Sequence, residues 1–519
     1  MKGDTLQILV SMIIYMTVII GIGLYFAKRA NESSENYFLG GRSLGPFVTA
    51  MSAEASDMSG WLLMGLPGVA YWFGLSDALW TAIGLGLGTY LNWLLVARRL
   101  HSYSIVAGDS ITLPDFFSNR FKEKNKIIMI ISAVFILVFF TVYASSCFVT
   151  VGKLFSTLFG FSYQSMMIIG AVFVLVYTYI GGFLAETASD TMQGVVMIFA
   201  LVTILVIGTA AAGGAQVVLQ NAKSIPGFFE FFGIASPTVE EGVQQVINGQ
   251  PQFGDSGSYG LYTILSTMAW GLGYFGMPQV LLRFMAIRDS KELVLSRRIA
   301  TIWVFISLFS AVAIGIIGRS LFPIALQTQG AAENIFIVLS SNLLPSFIAG
   351  IVMAGILAAT ISSSDSYLLI AASAFAKNIY QGIVKKDASD SQVMNISRVI
   401  LMTITLIGII IALDENSIIF TIVSFAWAGF GATFGPITLF SLFWKRTTRE
   451  GAIAGMLSGG IMVFFWKLVL KPMGGIFGVY ELLPAFIISC ILIYVVSKMT
   501  REPSEDIMKE FELAKSRAK

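Results

Sequence analysis

The sequence predicts an all-α polytopic membrane protein, and three observations carry that prediction. Of the 519 residues, 56% are hydrophobic and only 12% are charged, with a mean hydropathy of +0.80, so a polar surface cannot cover the chain. Thirteen mostly apolar windows follow one another, each close to the length that crosses a bilayer as a helix. No window alternates like the strands of a membrane β-barrel, and a backbone in lipid must form its own hydrogen bonds, so we expect thirteen transmembrane helices.

The windows are taken in chain order. They cover residues 7–27, 45–71, 74–98, 127–156, 163–183, 191–213, 258–282, 299–322, 342–375, 399–413, 417–444, 450–470 and 477–497. The first window has no small-residue cleavage site after it, which favours a retained helix over a signal peptide. Residues 498–519 are charged and lack an apolar run, which predicts a solvated tail or a short surface helix.

The basic residues predict the orientation of these helices. Six connecting segments, all on one side of a thirteen-helix topology, hold 27 of the 33 Lys and Arg residues: 28–44, 98–126, 283–298, 377–398, 445–449 and 498–519. By the positive-inside rule this side is the cytoplasm, so we expect the N-terminus outside and the C-terminus inside. The connection 214–257 then lies outside. The net charge of +3 reflects this topology and indicates no nucleic-acid partner.

Composition also excludes two kinds of chemistry. The chain has one histidine, His101, and its two cysteines, Cys147 and Cys490, lie in predicted membrane helices. A zinc centre and a disulfide framework are therefore excluded. The loops hide no soluble catalytic domain, so we expect neither an enzyme nor a cofactor.

A carboxylate in the second predicted helix opens the functional argument. Asp57 stands in the middle of the apolar segment between Gly45 and Tyr71. An ionised carboxylate at this depth costs at least about 2.5–3.5 kcal/mol, so such residues usually face a cavity and mark a pathway or a ligand.

A repeated pattern predicts the internal symmetry. The spacing Gly-x4-Gly-x-Pro occurs at Gly60 to Pro67 and again at Gly271 to Pro278, in helices of opposite predicted direction. Paired interruptions of this kind point to the binding site of a transporter. We therefore expect two inverted five-helix repeats, formed by helices 2–6 and 7–11, with one extra helix before and two after. The alternative is two ordinary Gly-rich packing faces. The predicted divisions of a single transport domain are 7–27 (extra helix), 45–213 (first repeat), 258–444 (second repeat), 450–497 (two extra helices) and 498–519 (cytoplasmic tail).

Interrupted helices predict what binds. A break leaves free carbonyls, which suit a small cation, and free N–H groups, which suit a carboxylate. The ninth helix adds a polar run from Ser362 to Ser366, whose hydroxyls are hard oxygen ligands for an alkali cation. The alternative is that these serines bond back to carbonyls of their own helix.

Five motifs resemble the sodium:solute symporter family over nearly the whole chain. They are Asn36-Tyr-Phe-Leu-Gly-Gly-Arg42-Ser-Leu-Gly45, Ala55-Ser-Asp57-Met-Ser-Gly-Trp-Leu-Leu-Met-Gly-Leu-Pro67, Tyr179-Ile-Gly-Gly-Phe-Leu184, Trp270-Gly-Leu-Gly-Tyr274-Phe-Gly-Met-Pro278 and Ile356-Leu-Ala-Ala359. The resemblance implies a LeuT-type inverted-repeat core in a bacterial cytoplasmic membrane, with sodium as the coupling ion and L-proline as the solute.

The resemblance also assigns residues to the sodium ion. The implied sodium site uses the backbone carbonyls of Ala55, Met58 and Ala359 and the hydroxyls of Ser362 and Ser363. The second hydroxyl of the family pattern is often Thr; here Ser364 and Asp365 follow it, which leaves open a second ion or a raised cation affinity.

Three charged residues have implied roles with alternatives. Asp190 resembles an acid on the sodium exit path, or it complements the dipole at the start of the sixth helix. Arg42 resembles a coupling or gating residue at the inner mouth, or it is a positive-inside anchor. Asp57 steers sodium inwards, or it caps the half-helix that starts near Ser59.

By the same resemblance, the solute lies beside the ion. The implied pocket consists of Ser59, Gly60, Trp61, Tyr143, Trp270, Tyr274 and Pro278. Free N–H groups near Gly60 suit the carboxylate of proline, and aromatic faces suit its ring and its ammonium group.

Two alternatives stay open. One is another small zwitterionic or anionic solute in place of proline. The other is proton coupling, because Glu54, Asp57, Asp190 and Asp365 are all titratable. A channel is disfavoured, because paired interrupted helices indicate a single occluded site rather than a repeated filter.

Overall fold

Twenty-one α-helices account for most of the part of the chain that the structure describes. The computed structural model describes residues 3–30 and 34–518, without the side chains of residues 3, 27–30, 34–36, 180 and 181; the motif residues Asn36, Ile180 and Gly181 fall in that last group. The helices are α1 Gly3–Ala30, α2 Ser34–Leu39, α3 Pro46–Asp57, α4 Leu66–Phe73, α5 Leu75–Leu91, α6 Ala97–Val106, α7 Leu113–Arg120, α8 Ile127–Phe159, α9 Tyr163–Ala211, α10 Ala215–Lys223, α11 Leu261–Met268, α12 Pro278–Ala286, α13 Leu293–Leu321, α14 Gln329–Ala332, α15 Ile335–Leu343, α16 Ser346–Ser373, α17 Asp390–Ile411, α18 Ile419–Phe443, α19 Arg449–Phe465, α20 Leu482–Met499 and α21 Glu505–Arg517.

Tighter and wider turns extend several of these helices. The π-helical turns are Trp61–Gly65, Asn92–Val96, Ala374–Val384 and Trp466–Leu470, and the 3₁₀ segments are Gly40–Arg42, Ala269–Gly276, Ser290–Glu292, Lys471–Met473 and Gly475–Gly478. A π turn inside a helix often marks a functional site.

Ten helical segments of the described chain are long and apolar enough to cross a membrane. They are Asp4–Phe26, Leu75–Val106, Ile127–Phe159, Gly182–Ala211, Ser290–Leu321, Ser346–Val384, Asp390–Ile411, Ile419–Phe443, Arg449–Met473 and Leu482–Met499. Trp61–Phe73 and Tyr163–Tyr179 are shorter apolar helices. The prediction of a mostly helical polytopic membrane protein is thereby confirmed, and the count of thirteen helices stays a prediction.

Two helices are interrupted at the repeated motif, but not at the same point of it. In the first copy, α3 ends at Asp57 and the backbone leaves the helix at Met58 (φ −84°, ψ 77°), before Gly60. Pro67 then follows the π turn Trp61–Gly65 as the second residue of α4. In the second copy, the helix tightens to 3₁₀ over Ala269–Gly276 and breaks at Met277 (ψ 109°), so that Pro278 begins α12.

The boundary between the fifth and sixth predicted helices was placed wrongly. The sequence predicts a gap at residues 184–190, whereas α9 runs through it and is interrupted only at Gly182 (φ 58°, ψ −176°). Glycine tolerates this conformation and a side chain does not. Asp190 consequently lies two turns inside the second part of α9, not at its start.

The connection after α9 contains short strands that the sequence did not predict. Besides α10 it forms three two-stranded antiparallel sheets. They pair β1 Gly233–Ile234 with β6 Gly257–Ser258, β2 Val239–Glu240 with β3 Val243–Gln244, and β4 Val246–Ile247 with β5 Gln250–Pro251. Strands of two residues carry too weak a periodicity to be read from sequence.

Helix α16 lies at the centre of the molecule. Every residue from Val352 to Ser373 is buried, which is typical of a helix surrounded by other helices. It packs against α1, α3, α8 and α9, so the polar run of the ninth predicted helix faces the interior and not lipid. At the other end of the chain, α21 packs against α6 through Phe511, and Glu510 pairs with Lys122 at 2.7 Å.

Candidate functional site

Four of the five residues assigned to sodium form one cluster between α3 and α16. The Ser362 hydroxyl oxygen lies 2.7 Å from the carbonyl oxygen of Ala55 and 3.3 Å from that of Ala359. The Ser363 hydroxyl oxygen lies 3.3 Å from the same Ala55 carbonyl. All four residues are buried. Because α3 ends at Asp57, its last carbonyls lack the backbone N–H groups that a continuing helix would supply, and they can accept hydrogen bonds from the serines of α16.

Several carbonyl oxygens lie around the Ser362 hydroxyl. It also lies 2.8 Å from the carbonyl of Ala358, one turn earlier in its own helix. A hydroxyl donates a single hydrogen, so it bonds to one of these carbonyls at a time, while the carbonyls of Ala358 and Ala359 also accept backbone N–H groups of α16. Both the back-bonded and the cross-helix geometry are therefore present. Converging neutral oxygens are the ligands that a hard cation prefers.

Met58 stands at the edge of this cluster. It is buried directly after α3, and its amide donates to the carbonyl of Glu54 at 2.9 Å. Its own carbonyl belongs to the non-helical link that leads to Gly60. Met58 is three residues after Ala55 in the sequence. Within the described residues, no hydrogen bond joins it to Ser362 or Ser363.

Asp57 points away from the serines and towards the second interrupted helix. Its carboxylate accepts hydrogen bonds from the Tyr274 hydroxyl at 2.9 Å and from the Gln279 side-chain amide at 3.1 Å. The sequence analysis predicted that Asp57 either steers sodium inwards or caps the half-helix near Ser59, and neither prediction included a contact with Tyr274 or Gln279. The side chain is fully buried, and within the described residues it has no ion-pair partner.

The aromatic residues assigned to the solute gather around the first break. The Trp61 indole N–H donates to the Asp57 carbonyl at 3.3 Å, and the Tyr143 hydroxyl reaches the same oxygen at 3.5 Å. The ring centroids of Trp61 and Trp270 are 6.4 Å apart. These aromatic faces thus lie beside free helix ends, the combination that a small zwitterion with a ring requires.

Three aromatic neighbours of Trp270 escaped the sequence analysis. Its ring stacks on Tyr480 at 5.2 Å and lies 5.0 Å from Phe420, while the Trp427 indole donates to the Trp270 carbonyl at 2.8 Å. Trp427 and Phe420 belong to α18, and Tyr480 precedes α20. In the sequence they look like the many other aromatic residues of membrane helices.

The remaining pocket residues divide between two places. Ser59 and Gly60 are buried in the break, and a side-chain carbon on Gly60 would collide with Thr150 of α8. Pro278 is buried too, but it lines a separate small cavity together with Leu113 and Ile370. The structure therefore brings Ser59 and Gly60 to the aromatic group and leaves Pro278 beside a different opening.

Asp190 belongs to a buried ionic cluster that the sequence did not predict. One of its carboxylate oxygens accepts from the Ser52 hydroxyl at 2.6 Å and pairs with the Arg283 guanidinium at 3.3 Å. The sequence analysis counted Arg283 among the basic residues of a cytoplasmic loop, which is wrong: it lies in α12 and is fully buried. The predicted helix stopped at residue 282, four positions before the end of α12 at Ala286.

Two further carboxylates complete this cluster. Glu186 forms an ion pair with Arg283 and accepts from the Ser366 hydroxyl. Asp365 accepts from the Ser366 backbone N–H at 2.8 Å. Three acids thus surround one guanidinium in the interior, an excess of negative charge that costs free energy unless protons or cations offset it.

Arg42 joins three segments at one end of the α3–α12 pair. Its guanidinium bonds to the Asp109 carboxylate at 3.1 Å, the Ser110 carbonyl at 2.7 Å and the Met285 carbonyl at 2.6 Å. These bonds tie the turn after α2 to the turn after α6 and to the end of α12. A residue that holds the end of α12 from the segment before α3 is positioned to respond when these helices move.

The arrangement can bind hard cations and small polar solutes. Within the described residues, no group of three or more His, Cys, Asp or Glu side chains is arranged to hold a metal ion, and both cysteines are free. The polar groups that do converge are carbonyls, hydroxyls and carboxylates, which favour alkali cations over transition metals.

Comparisons with known proteins identify similar sequences over most of the chain. The model of the sodium:solute symporter family matches residues 37–459. The sodium/proline symporters of Staphylococcus aureus strains USA300 / TCH1516 and JH9 are each 40% identical to this chain over 503 residues, which is 96% of this chain and 93% of each relative.

Among solved structures, two transporters share the fold. A sodium-coupled sialic acid symporter in a substrate-bound outward-open state matches with a TM-score of 0.76 and 17% identity, over 96% of this chain and 99% of that chain. A nucleobase-cation-symport-1 family transporter, closed with bromovinylhydantoin bound, matches with a TM-score of 0.50 and 11% identity, over 92% of this chain and 98% of that chain. The first likeness covers both chains almost completely.

Proposed function

This chain belongs to the sodium:solute symporter family, and from that premise we propose that it takes up L-proline by sodium-coupled alternating access. Its family consists of sodium-coupled transporters and not of enzymes. The observation that carries the proposal is the pair of helix breaks, one beside Ser362 and Ser363 and the other joined to it through Asp57. Proline is proposed because relatives 40% identical over 96% of the chain are sodium/proline symporters.

The proposed membrane topology has thirteen spans. Ten segments have the necessary length and hydropathy. We add the interrupted pairs α3–α4 and α11–α12 and the first part of α9, which restores the helix count and the two inverted five-helix repeats, 45–213 and 258–444. The N-terminal helix and the two C-terminal helices, 7–27 and 450–497, flank them, and 498–519 forms the tail.

The proposed orientation places the N-terminus outside and the C-terminal tail in the cytoplasm of a bacterium, as the basic residues indicate. Single cysteines at Glu241 and Ser516, in a background without Cys147 and Cys490, test it with a membrane-impermeant maleimide on intact cells. Labelling of the Glu241→Cys protein alone is expected. Labelling of the Ser516→Cys protein alone would show the opposite orientation, with the C-terminal tail outside.

The proposed sodium site consists of the carbonyls of Ala55, Met58 and Ala359 and the hydroxyls of Ser362 and Ser363. An ion there would join α3 to α16 through the Ala55 carbonyl and the two serine hydroxyls. The proposed solute pocket adjoins it and consists of Ser59, Gly60, Trp61, Tyr143, Trp270 and Tyr274, with Pro278 as an outer member. We assign Asp190 and Arg42 to the cytoplasmic exit.

The proposed cycle follows from these contacts. Sodium binding joins α3 to α16 and stabilises the outward-open form, solute binding then permits closure, and the inner mouth near Arg42 opens last. One sodium ion entering down 100 mV releases about 2.3 kcal/mol. A tenfold sodium gradient adds about 1.4 kcal/mol, and together these limit the accumulation of a neutral zwitterion to roughly 500-fold.

Competition in proteoliposomes tests the solute. Uptake of labelled L-proline under an inward sodium gradient is measured against excess unlabelled amino acids, sugars and carboxylates, and only proline and its close analogues are expected to compete. If excess unlabelled proline did not reduce uptake and another solute did, proline would be the wrong solute, but the protein would still be a symporter. Uptake that follows a pH gradient with sodium absent would establish proton coupling instead.

A further inference from the structure

A groove on the outside of the helix bundle runs between α5 and α13. It has a volume of about 780 Å³, and side chains of these two helices, of α9 and of α10 form its walls. The α5 residues that line it recur every three or four positions from Leu75 to Tyr90, and those of α13 do so from Thr301 to Ile317. This spacing places each set on one face of its helix, so the groove follows both helices lengthwise.

The walls of the groove are almost entirely apolar and lie at membrane depth. Leu87 of α5 and Phe305 and Phe309 of α13 line it and are exposed on the surface of the protein. Both helices belong to segments that can cross a membrane. From Leu75 to Tyr90 the groove is about 22 Å long, at about 1.5 Å per residue, which is most of the roughly 30 Å hydrocarbon core. Because this core holds no water, hydrocarbon is what the surroundings offer to fill the groove.

The glycines of α5 differ in what they face. A side-chain carbon added at Gly86, which lines the groove, would meet no other atom within 4 Å. Two residues to either side, at Gly84 and Gly88, such a carbon would collide with the backbones of Met268 and Gly271. Gly84 and Gly88 therefore let the second interrupted helix approach, whereas Gly86 faces free space.

A positive charge lies beside one end of the groove. The Arg297 guanidinium lies over the ring of Tyr90, 5.7 Å from its centroid, and the Thr301 hydroxyl donates to the Arg297 carbonyl at 2.7 Å. Tyr90 and Thr301 are the residues of α5 and α13 that line this end. Within the described residues Arg297 has no ion-pair partner. The groove thus combines a long apolar wall with an uncompensated cation at one end.

We propose that the groove between α5 and α13 binds an acyl chain of an anionic phospholipid whose phosphate lies at Arg297. The apolar walls suit the chain, and a guanidinium suits a phosphate, which it binds through charge-assisted hydrogen bonds. The site is on the membrane-facing surface and goes beyond the uptake of L-proline. It rests on the proposed function only through the orientation, which places Arg297 in the cytoplasmic leaflet, where anionic lipids attract basic residues.

The groove lies between the supports of the two helix breaks. On α13, Gly315 lies so close to Pro67 and Ala70 of α4 that no side-chain carbon fits. On α5, Gly88 makes the same kind of close contact with Gly271 of the second break. A chain between α5 and α13 therefore fills the space between these two supports through van der Waals contact, and we expect a bound lipid to stabilise the folded protein.

Lipid-dependent thermal stability of the purified full-length protein tests the chain site. Phosphatidylglycerol or phosphatidylcholine of equal chain length is titrated into the detergent-solubilised wild type, Gly86→Phe and the control Gly21→Phe, without proline. Gly21 lies in α1, outside the groove, and a side-chain carbon there also meets no atom within 4 Å. Gly86→Phe is expected to need at least tenfold more phosphatidylglycerol for half-maximal stabilisation than the wild type and the control. Equal requirements in all three proteins, or no stabilisation of the wild type, would overturn the proposal.

A second pair of variants tests the headgroup and covers the case that Gly86→Phe misfolds. Arg297→Gln leaves the groove open and removes the charge, and Arg298→Gln changes the exposed neighbour. The wild type and Arg298→Gln are expected to prefer phosphatidylglycerol over phosphatidylcholine by about tenfold, and Arg297→Gln should lose this preference. A preference that is absent from the wild type, or retained in Arg297→Gln, would contradict a phosphate at Arg297.

Native mass spectrometry distinguishes a lipid from a second copy of the chain. The wild type is expected to retain a phosphatidylglycerol molecule that Gly86→Phe loses, with the same oligomeric state in both proteins. A wild-type dimer that Gly86→Phe separates into monomers would show that a second copy covers the groove, and the lipid proposal would then be wrong.

Discussion

The hydroxyl of Tyr274 donates a 2.9 Å hydrogen bond to the carboxylate of Asp57, 217 residues earlier in the chain. Each residue stands at one of the two helix breaks, so the bond joins the interrupted helices directly. Gln279 is the second residue of α12, the helix that follows the second break, and its side-chain amide donates a second hydrogen bond to the same carboxylate. A change in the position of either helix is therefore transmitted to the other.

Removing this link should impair transport more than folding. Tyr274→Phe loses a buried hydrogen bond to a charged group, worth about 1.5–3 kcal/mol. We expect the ratio of maximal proline uptake to the half-saturating proline concentration to fall about tenfold or more, with normal yield. Tyr494→Phe, on the exposed face of α20, is the control. Equal uptake by both variants would show that the bond is incidental.

The serines of α16 allow a controlled test of the proposed sodium site. Ser362→Ala and Ser363→Ala each remove a hydroxyl that faces the Ala55 carbonyl, so the sodium concentration for half-maximal uptake should rise by at least tenfold. Ser364→Ala is the matched control, because its hydroxyl donates to the Thr360 carbonyl of its own helix at 2.5 Å. The proposed site would be refuted if the sodium concentration for half-maximal uptake were unchanged in both test variants, or if it rose equally in the control.

The buried guanidinium of Arg283 should matter for stability. Arg283→Met leaves Glu186 and Asp190 as uncompensated buried charges, which costs about 3–5 kcal/mol. Adding Glu186→Gln to that variant should recover part of the loss in thermal stability. Arg288→Met breaks an exposed ion pair with Glu292 in the link after α12 and is expected to leave the unfolding temperature nearly unchanged. Similar unfolding temperatures for the two single arginine variants would contradict the account of the cluster.

A second buried ion pair supports the start of α18. Lys153 pairs with Glu333 at 2.8 Å, and the Glu333 carboxylate also accepts the backbone N–H groups of Ile419 and Phe420 at 3.0 Å. Glu333→Gln should therefore destabilise the protein by about 3–5 kcal/mol, because Lys153 is left without its counter-charge. Thermal unfolding measures the effect, and Lys509→Met on the exposed α21 is the control. An unfolding temperature equal to that of the control would refute a structural role.

Much of the architecture was predictable because hydropathy and helix interruption are local signals. The apolar windows anticipate the membrane helices, and the spacing Gly-x4-Gly-x-Pro indicates where helices α3 and α11 are interrupted. The position of each break was less predictable. In the first copy the helix ends before Gly60, whereas in the second it ends inside the motif at Met277, although both copies have the same spacing.

The ionic cluster was beyond the sequence analysis for a different reason. Arg283 stands just past an apolar window, where it looks like a loop anchor, and its partners Glu186 and Asp190 are nearly 100 residues away. Ion pairs across such separations depend on tertiary contact. The π turn at Asn92 and the stacking of Tyr480 on Trp270 likewise leave no periodic trace.

Reciprocal coupling of sodium and proline tests the central claim most directly, because linkage requires each ligand to drive the other. Proteoliposomes with equal sodium on both sides are given an inward gradient of L-proline, and entry of labelled sodium is followed with the voltage clamped at zero. We predict that proline drives sodium inwards against its own rising gradient, and that Ser362→Ala needs at least tenfold more sodium for the same movement. Sodium entry that is indifferent to proline, while proline still enters, would contradict the account.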